Sequence, residues 1–586
     1  MPRLTSVFSS LSFVPALLLL ASMSGSCAPP EASPLAVHVE WGLTDPSATL
    51  PSNVERLRVL VEIEGEEMVQ ESIHTVSGLE DADDNGRPEL DRDALPPGVP
   101  IRMTIEGQDG AGRTLYVGHV GPIVLQHGER RHVDLRMYEL GTTNLLDSAP
   151  LTPRLLHSAT TLADGRVLIA GGFSGVTPNP CPGDVADPDA RCYGLTATAS
   201  AGILDVNTGR VLSLSPMLGE RGGHTATVLA DGRVLLAGGS ETAIVVFEHQ
   251  DGGFSIDLRP GFGGDTFEIF DPEANPERED IDRDGDPGRG GFLGAADDDE
   301  EPGRLDTPRT LHAATLLADG RVLLAGGVTS AGSYTIFDPQ RAGGYGVIGT
   351  GTLENSRGMP GAASTGSGSS ERAWILGGAN AASNDDLAEI WTAGTAAMPL
   401  GSTAPATDDG FPDASMTARP EFGLIRPLVA TVGEGSHVLA VGWLGPHCAT
   451  GGAPDFVPTN PLCGYDLAEL RSYTINASTG VATPTGVRNA HAFGAIAVLD
   501  DGRVAVTGGM TGLTFQAGNT VDVYSGAVSG GIAALSDERP LLLRGRAMHS
   551  TSATPGGGLV SFGGVAPSTD LSALTLVTGL EVQYLQ

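Results

Sequence analysis

Five histidines stand at matching places in repeated phrases of this chain: His157, His224, His312, His491 and His549. Each follows an arginine by three residues, Arg154, Arg221, Arg309, Arg488 and Arg546. Imidazole beside guanidinium can move protons or hold anions. A catalytic group is needed once, however, and a position filled in most copies of a repeat is better explained by a recurring structural hydrogen bond. Two acidic segments carry a different chemistry. Asp280, Asp282, Asp284 and Asp286 surround Gly285, and Asp81, Asp83 and Asn85 precede Gly86. Alternating oxygen side chains on a glycine-turned loop can converge on one hard cation, so calcium is the expected cofactor, with a solvated acidic loop as the alternative. No organic cofactor is expected.

Both acidic segments are similar to the start of calcium-binding loops, and neither is a complete one. At the twelfth position, where that pattern has a bidentate glutamate, the chain has Gly291 and Arg92. Four cysteines fall in two pairs, Cys181 with Cys192 and Cys448 with Cys463. Two local loop disulfides are the simplest connectivity; a zinc site, with His447 beside Cys448, is the rival reading. The fifth cysteine, Cys27, follows Arg3, an apolar stretch from Leu11 to Ala21 and the small residues Ser24, Gly25 and Ser26. Residues 1–26 therefore read as a secretory signal peptide. The segment resembles a bacterial lipobox, which implies a lipidated Cys27 and a short Pro-rich linker over 27–34. The family pattern has leucine where this chain has Ser24, which leaves ordinary signal cleavage open.

The elements that position these residues repeat themselves. HSATTLADGRVLIAGG from His157 returns from His224 and His312, and in altered form from His491. Each copy holds an apolar segment, an Asp-Gly turn, a second apolar segment and a double glycine, the pattern of a hairpin that must pack on its neighbours to bury its surface. In the first copy Val167, Leu168, Ile169 and Ala170 are all apolar, which demands burial on both faces. Third-strand phrases such as TFEIFDP from Thr266 and YTIFDP from Tyr334 follow, so one repeat is a four-stranded meander. Double glycines at 171, 238, 326, 377, 508 and 563, with Val441-Gly442 as a variant, mark seven units. The last unit has no fourth strand of its own, and TNLL from Thr143 stands where one is needed. An upstream strand is thus expected to complete the last unit and close the array. The insertions at 173–198, 241–264 and 443–467 are expected to form braced recognition loops on one face.

Residues 35–138 form a separate region. Five alternating segments, beginning at Val37, Leu57, Ile101, Arg113 and His132, predict a small β-sandwich of the immunoglobulin or prealbumin kind.

The Asp-Gly hairpin, the double glycine, the EIFDP-like third strand and the Arg-x-x-His lead-in resemble bacterial kelch repeats, the propeller type also found in galactose oxidase. The resemblance covers 139–586 and implies an all-β fold: a seven-bladed kelch-like β-propeller preceded by the sandwich. A galactose-oxidase-type copper site needs a tyrosine crosslinked to a cysteine; export takes Cys27 and the other four cysteines fall in two loop pairs, which leaves none free. The formal charge of −37 makes nucleic acid a poor partner, because phosphate recognition requires positive charge. The expectation is a non-enzymatic outer-membrane or cell-surface lipoprotein of a Gram-negative bacterium, contacting the membrane through its lipid only. Its partner would be a protein or a glycan, and a carbohydrate-active or oxidase-type propeller enzyme is the alternative.

Overall fold

The computed structural model describes residues 33–41, 51–66, 69–75, 89–129, 131–147, 150–250, 253–261, 264–274, 290–294, 301–340, 346–353, 356–367, 371–378, 388–392, 402–405, 424–444, 470–511, 516–568 and 572–585. Every regular element in them is a strand. The first seven are β1 (Ser33–Trp41), β2 (Arg56–Ile63), β3 (Gln70–Thr75), β4 (Glu89–Leu95), β5 (Pro100–Gln108), β6 (Thr114–Val124) and β7 (Arg131–Glu139). They hydrogen-bond in the order β3-β2-β5-β6-β7-β1-β4, with β1 and β7 parallel. Alternation carries the packing. Leu57, Val59 and Val61 lie two residues apart on one face of β2, as Val37 and Val39 do on β1, and both sets belong to one apolar core. The five segments read from the sequence are all strands, and pairing adds β3 and β4 to them.

Ten further sheets follow among the described residues: seven repeated ones built on four strands, the first six in meander order, one four-stranded sheet between repeats and two two-stranded ones. The first of the seven consists of Ser158–Thr161, Val167–Ala170, Ala201–Asp205 and Arg210–Ser213. The first strands of the next five are Thr225–Val228, Ala313–Leu316, Gly361–Thr365, Leu424–Val432 and Ala495–Val498. The seventh sheet joins Ser550–Thr554, Gly558–Phe562 and Leu580–Tyr584 to β8 (Thr143–Leu146), with Leu580 opposite Leu146 and Gln583 opposite Thr143. The upstream strand therefore occupies its expected place.

The second strands explain how the sheets stack. Val167 and Ile169 share a core with Val560, Phe562 and Val582 of the seventh sheet, while Leu168 and Ala170 pack with Val234, Leu236 and Phe270 of the second. Because successive side chains leave opposite faces of a strand, one four-residue apolar run serves two interfaces. The same arrangement joins the second sheet to the third, the third to the fourth, and onward to the sixth and seventh. Burying one such side chain contributes about 1.5–3 kcal/mol, so each interface between sheets is a main source of their stability.

The segments expected as loops at 173–198 and 241–264 are instead strands. Phe173–Asn179 and Arg191–Ala197 pair with Thr242–Gln250 and Gly253–Pro260 in a four-stranded sheet contributed by two repeats. Each insertion is a hairpin, and pairing of Arg191–Ala197 with Thr242–Gln250 satisfies the backbone edge that each would otherwise leave open between them. The stretch at 445–467 lies outside the described residues.

Candidate functional site

The repeated arginines are buried and committed to the backbone. Arg154, Arg221, Arg309, Arg357 and Arg546 each donate from Nη1 to the first carbonyl of their own double glycine, at Gly171, Gly238, Gly326, Gly377 and Gly563, over 2.8–3.1 Å. The second glycine reaches the next sheet. Gly172 donates its N–H to the Arg221 carbonyl at 2.8 Å, Gly509 to that of Arg546 at 2.7 Å, and Gly564 to that of Arg154 at 2.7 Å, which joins the last sheet to the first. A side chain has no room at the first glycine: Gly238 has φ +66°, and an added Cβ would lie 2.3 Å from the Arg309 carbonyl oxygen.

Third-strand carboxylates complete three of these sites. Glu268 pairs with Arg221 at 2.8 Å and accepts the Leu218 N–H at 2.7 Å, Glu389 pairs with Arg357 at 3.4 Å, and Glu581 pairs with Arg546. Arg154 and Arg309 have neutral acceptors instead, among them the Ser200 and Thr335 hydroxyls. Burial pushes both guanidinium groups down to about 10, which leaves them cationic at neutral pH. The sequence signal for the acidic partners is a lone carboxylate inside an otherwise apolar third strand, which the spacing of arginine and histidine passes over.

The histidines bridge neighbouring sheets. His224 Nε2 lies 3.0 Å from the Ser158 hydroxyl, His312 Nε2 lies 2.9 Å from that of Thr225, and His157 meets that of Ser550, again across the junction of last and first. Burial, with help from Arg221 and Arg309, lowers His224 and His312 to about 3; His157 is also held well below its ordinary value, first by burial. All three imidazoles are neutral and poorly placed to accept a proton.

His491 is not equivalent to the other four, which corrects the reading of Arg488 and His491 as a fifth Arg-x-x-His pair. Its Nδ1 donates to the Gly508 carbonyl at 2.7 Å and its Nε2 lies 3.3 Å from Asp522, so it fills the arginine position. Gly494, directly after the left-handed Phe493, takes the usual histidine place. Arg488 turns to the Ser536 and Glu538 carbonyls. Because Ala495 lacks a hydroxyl, His549 bonds the Thr507 hydroxyl at 2.8 Å, from the strand position opposite Ala495.

A row of left-handed residues, with no signal in the repeat pattern, also joins the sheets. Leu156, Leu311, Met359, Phe493 and Met548 all have φ between 52° and 55°, and Gly223 fills the same place at 69°. A left-handed non-glycine residue costs on the order of 1 kcal/mol. Backbone bonds between sheets offset it: Leu156 N–H to Met548 O at 2.9 Å, Gly223 to Leu156 at 2.9 Å, Leu311 to Gly223 at 2.8 Å and Met548 to Phe493 at 2.6 Å. Leu156, Phe493 and Met548 then pack under Phe173, Tyr193, Val245 and Phe247 of the four-stranded insertion sheet. That sheet is an apolar cap over the lead-ins to the first strands.

At the other end of those strands, β5 and β6 lie against parts of the first, second, sixth and seventh sheets, and between them is a half-open cleft of about 990 Å³. Its wall is small and weakly polar, with Ala159, Thr161, Ala226, Val228 and Ser552, and its charged groups are Glu62, Arg102 and Asp500. His119 lies 3.0 Å from the Thr104 hydroxyl through Nδ1 and stacks on Tyr584. Burial pushes it down to about 4 against the opposing pull of Asp500 and Glu106. Its Nε2 has no partner, and it faces Gly556, where an added Cβ would lie 1.7 Å away. Among the described residues no carboxylate hydrogen-bonds the His119 ring, so the hydroxyl and imidazole lack the third member of an acyl-transfer constellation.

Of the other sequence-derived sites, Cys181 and Cys192 form a disulfide with Cα atoms 5.1 Å apart. Cys27, Cys448, Cys463, Asp81, Asp83, Asn85, Asp280, Asp282, Asp284 and Asp286 lie outside the described residues. Among the described residues, no three histidine, cysteine or acidic side chains gather as a metal-ion site. No protein-family model matches the chain, and no curated protein matches it.

Proposed function

We propose that the seven four-stranded sheets close into a kelch-type β-propeller and that the protein is an exported, lipid-anchored scaffold that binds a protein or glycan of the cell envelope without chemistry. The reading of a circle rests on three bonds that join the last sheet to the first, Gly564 to Arg154, Leu156 to Met548 and His157 to Ser550. β1 to β7 serve in this reading as a sandwich domain docked on the propeller base.

The observation that carries a binding role is the consumption of the repeated polar side chains by the frame. Arginines and histidines that could have done chemistry are buried between sheets, and the insertions that follow two of the double glycines build a disulfide-braced sheet on one face. A rigid frame carrying an ordered projection is the usual design of a recognition surface. Calcium held by the Asp280 and Asp81 segments would brace further loops of the same protein.

Binding of the full chain to arrays of envelope glycans and envelope proteins is the direct test. Replacing residues 182–190 by a glycine-serine linker should remove the signal while leaving the melting temperature unchanged. Retained binding by that variant would refute recognition through the insertion sheet. Fatty-acid labelling of wild type and of Cys27→Ser tests the anchor, and a melting temperature insensitive to chelator would end the calcium proposal.

A further inference from the structure

The β3 edge of the N-terminal sheet is built differently from the outer edges of the seven repeated sheets. β3 pairs with β2 from Arg56 opposite Thr75 to Val61 opposite Gln70, and among the described residues no strand pairs with its other side. Natural edge strands discourage pairing with lysine, proline, a bulge or very short length. β3 has no lysine, proline or bulge over its six residues, QESIHT, and its one acidic side chain, Glu71, is tied to Arg58. Ile73 is 56% exposed and Val69, just before the strand, is 48% exposed. The fourth strands of the seven sheets also have an open side, but five of them have four residues, that of the second has three, and that of the third, GVIGTGT, is rich in glycine.

Beside this edge lies a small cavity of about 250 Å³ lined by Glu62, Glu64, Glu66, Val69, Pro100 and Arg102. Among the described residues no arginine pairs with Glu62, Glu64 or Glu66, whereas Glu71 on β3 is held by Arg58 at 2.8 Å. Val69 and Pro100 beside three carboxylates, with Arg102 the one cation among them, leave the cavity net negative and suit a side chain with an aliphatic stem and a cationic head. The whole chain carries a formal charge of −37, and all of its 34 basic residues are arginine. Repulsion between like-charged surfaces therefore disfavours a second copy at this edge and favours a basic partner.

We infer that the open edge of β3 accepts an extended, lysine- or arginine-bearing segment of a partner protein as an added strand, with one cationic side chain seated in the Glu62–Glu64–Glu66 cavity. Main-chain pairing supplies the affinity in this mode, and side chains alternating between the two faces supply the choice of partner. Ile73 and Val69 lie where the apolar residues of such a segment would cover them. This surface is separate from the insertion sheet of the proposed recognition face, so either can fail without the other.

The test uses the full chain and a fluorescent eight-residue peptide alternating valine and lysine. Its controls are the glutamate counterpart and a lysine peptide N-methylated at alternate residues, which keeps the charge and loses N–H groups. Expected are saturable binding of the lysine peptide alone, slowed hydrogen exchange at Glu71–Thr75, and at least tenfold weaker binding to Ile73→Lys. Combined Glu62→Gln, Glu64→Gln and Glu66→Gln should remove most of the salt dependence at an unchanged melting temperature. Equal binding of the N-methylated peptide, or of Ile73→Lys, would show adhesion to the acidic surface at large and would overturn the inference, as would unaltered exchange in β3.

Discussion

Acid should unfold this protein through its buried imidazoles before its carboxylates protonate. His224 and His312 are depressed to about 3 and His119 to about 4, and burial holds His157 well below its ordinary value. An unfolded histidine titrates near 6.5. Between that value and the folded one, the unfolded chain binds protons that the folded chain refuses, so stability falls as pH falls. At pH 5 His119, His224 and His312 each contribute a loss of about 2 kcal/mol, or about 6 kcal/mol together, by integrating roughly 1.4 kcal/mol per pH unit below 6.5, and His157 acts in the same direction. That is the size of a whole domain's stability, about 5–15 kcal/mol, so the transition should begin between about pH 5 and 6. Urea unfolding followed by tyrosine fluorescence and circular dichroism from pH 8 to 5 measures the slope. His157→Gln, His224→Gln and His312→Gln combined keep a hydrogen-bonding group without a titrating one, and the slope should drop to that of His119. A stability unchanged between pH 7 and 5, or a triple variant with the wild-type slope, would refute the reasoning.

Other perturbations test the junctions between sheets. Gly238→Ala must fit a Cβ against the Arg309 carbonyl at φ +66° and should cost about 2–4 kcal/mol, while Gly232→Ala, with φ +89° and open space around it, should cost less; thermal melts compare the two. Glu268→Gln leaves Arg221 buried without its carboxylate and should lose about 3–5 kcal/mol in chemical denaturation. Tyr138→Phe removes the 2.6 Å bond from the hydroxyl to the Val206 carbonyl and should cost about 1–3 kcal/mol. Tyr138 and Val117 share a core with the first and seventh sheets, so this loss should appear in the single main transition rather than in a separate early melt of β1 to β7. Cys181→Ser with Cys192→Ser should expose residues 180–191 to protease while the main transition stays within a few degrees.

Much of the architecture is readable from period and punctuation. Val167-Leu168-Ile169-Ala170 announces a strand buried on both faces, because alternation leaves no polar side to meet water. The Asp-Gly turn places Gly165 at φ +86°, where few other residues are comfortable. The missing fourth strand of the last repeat points to β8 by simple counting. His491 shows the limit of such reading. Spacing within the chain assigned it to the histidine row, but the left-handed residue Phe493 and the bond to Gly508 put it three positions away, in the arginine row.

Local sequence determined the strands, their turns and the repeat, since those follow from alternation, glycine conformation and short-range hydrogen bonding. Tertiary structure alone decided what the polar residues do. Whether an arginine meets Glu268 or Thr335, and whether two insertions remain loops or pair as a sheet, depends on groups far apart in the chain that compete for the same buried donors and acceptors. Burial then turned five candidate chemical groups into fasteners: an unpaired polar atom away from water is costly, and the nearest partner in each case belongs to the neighbouring sheet or to the same frame.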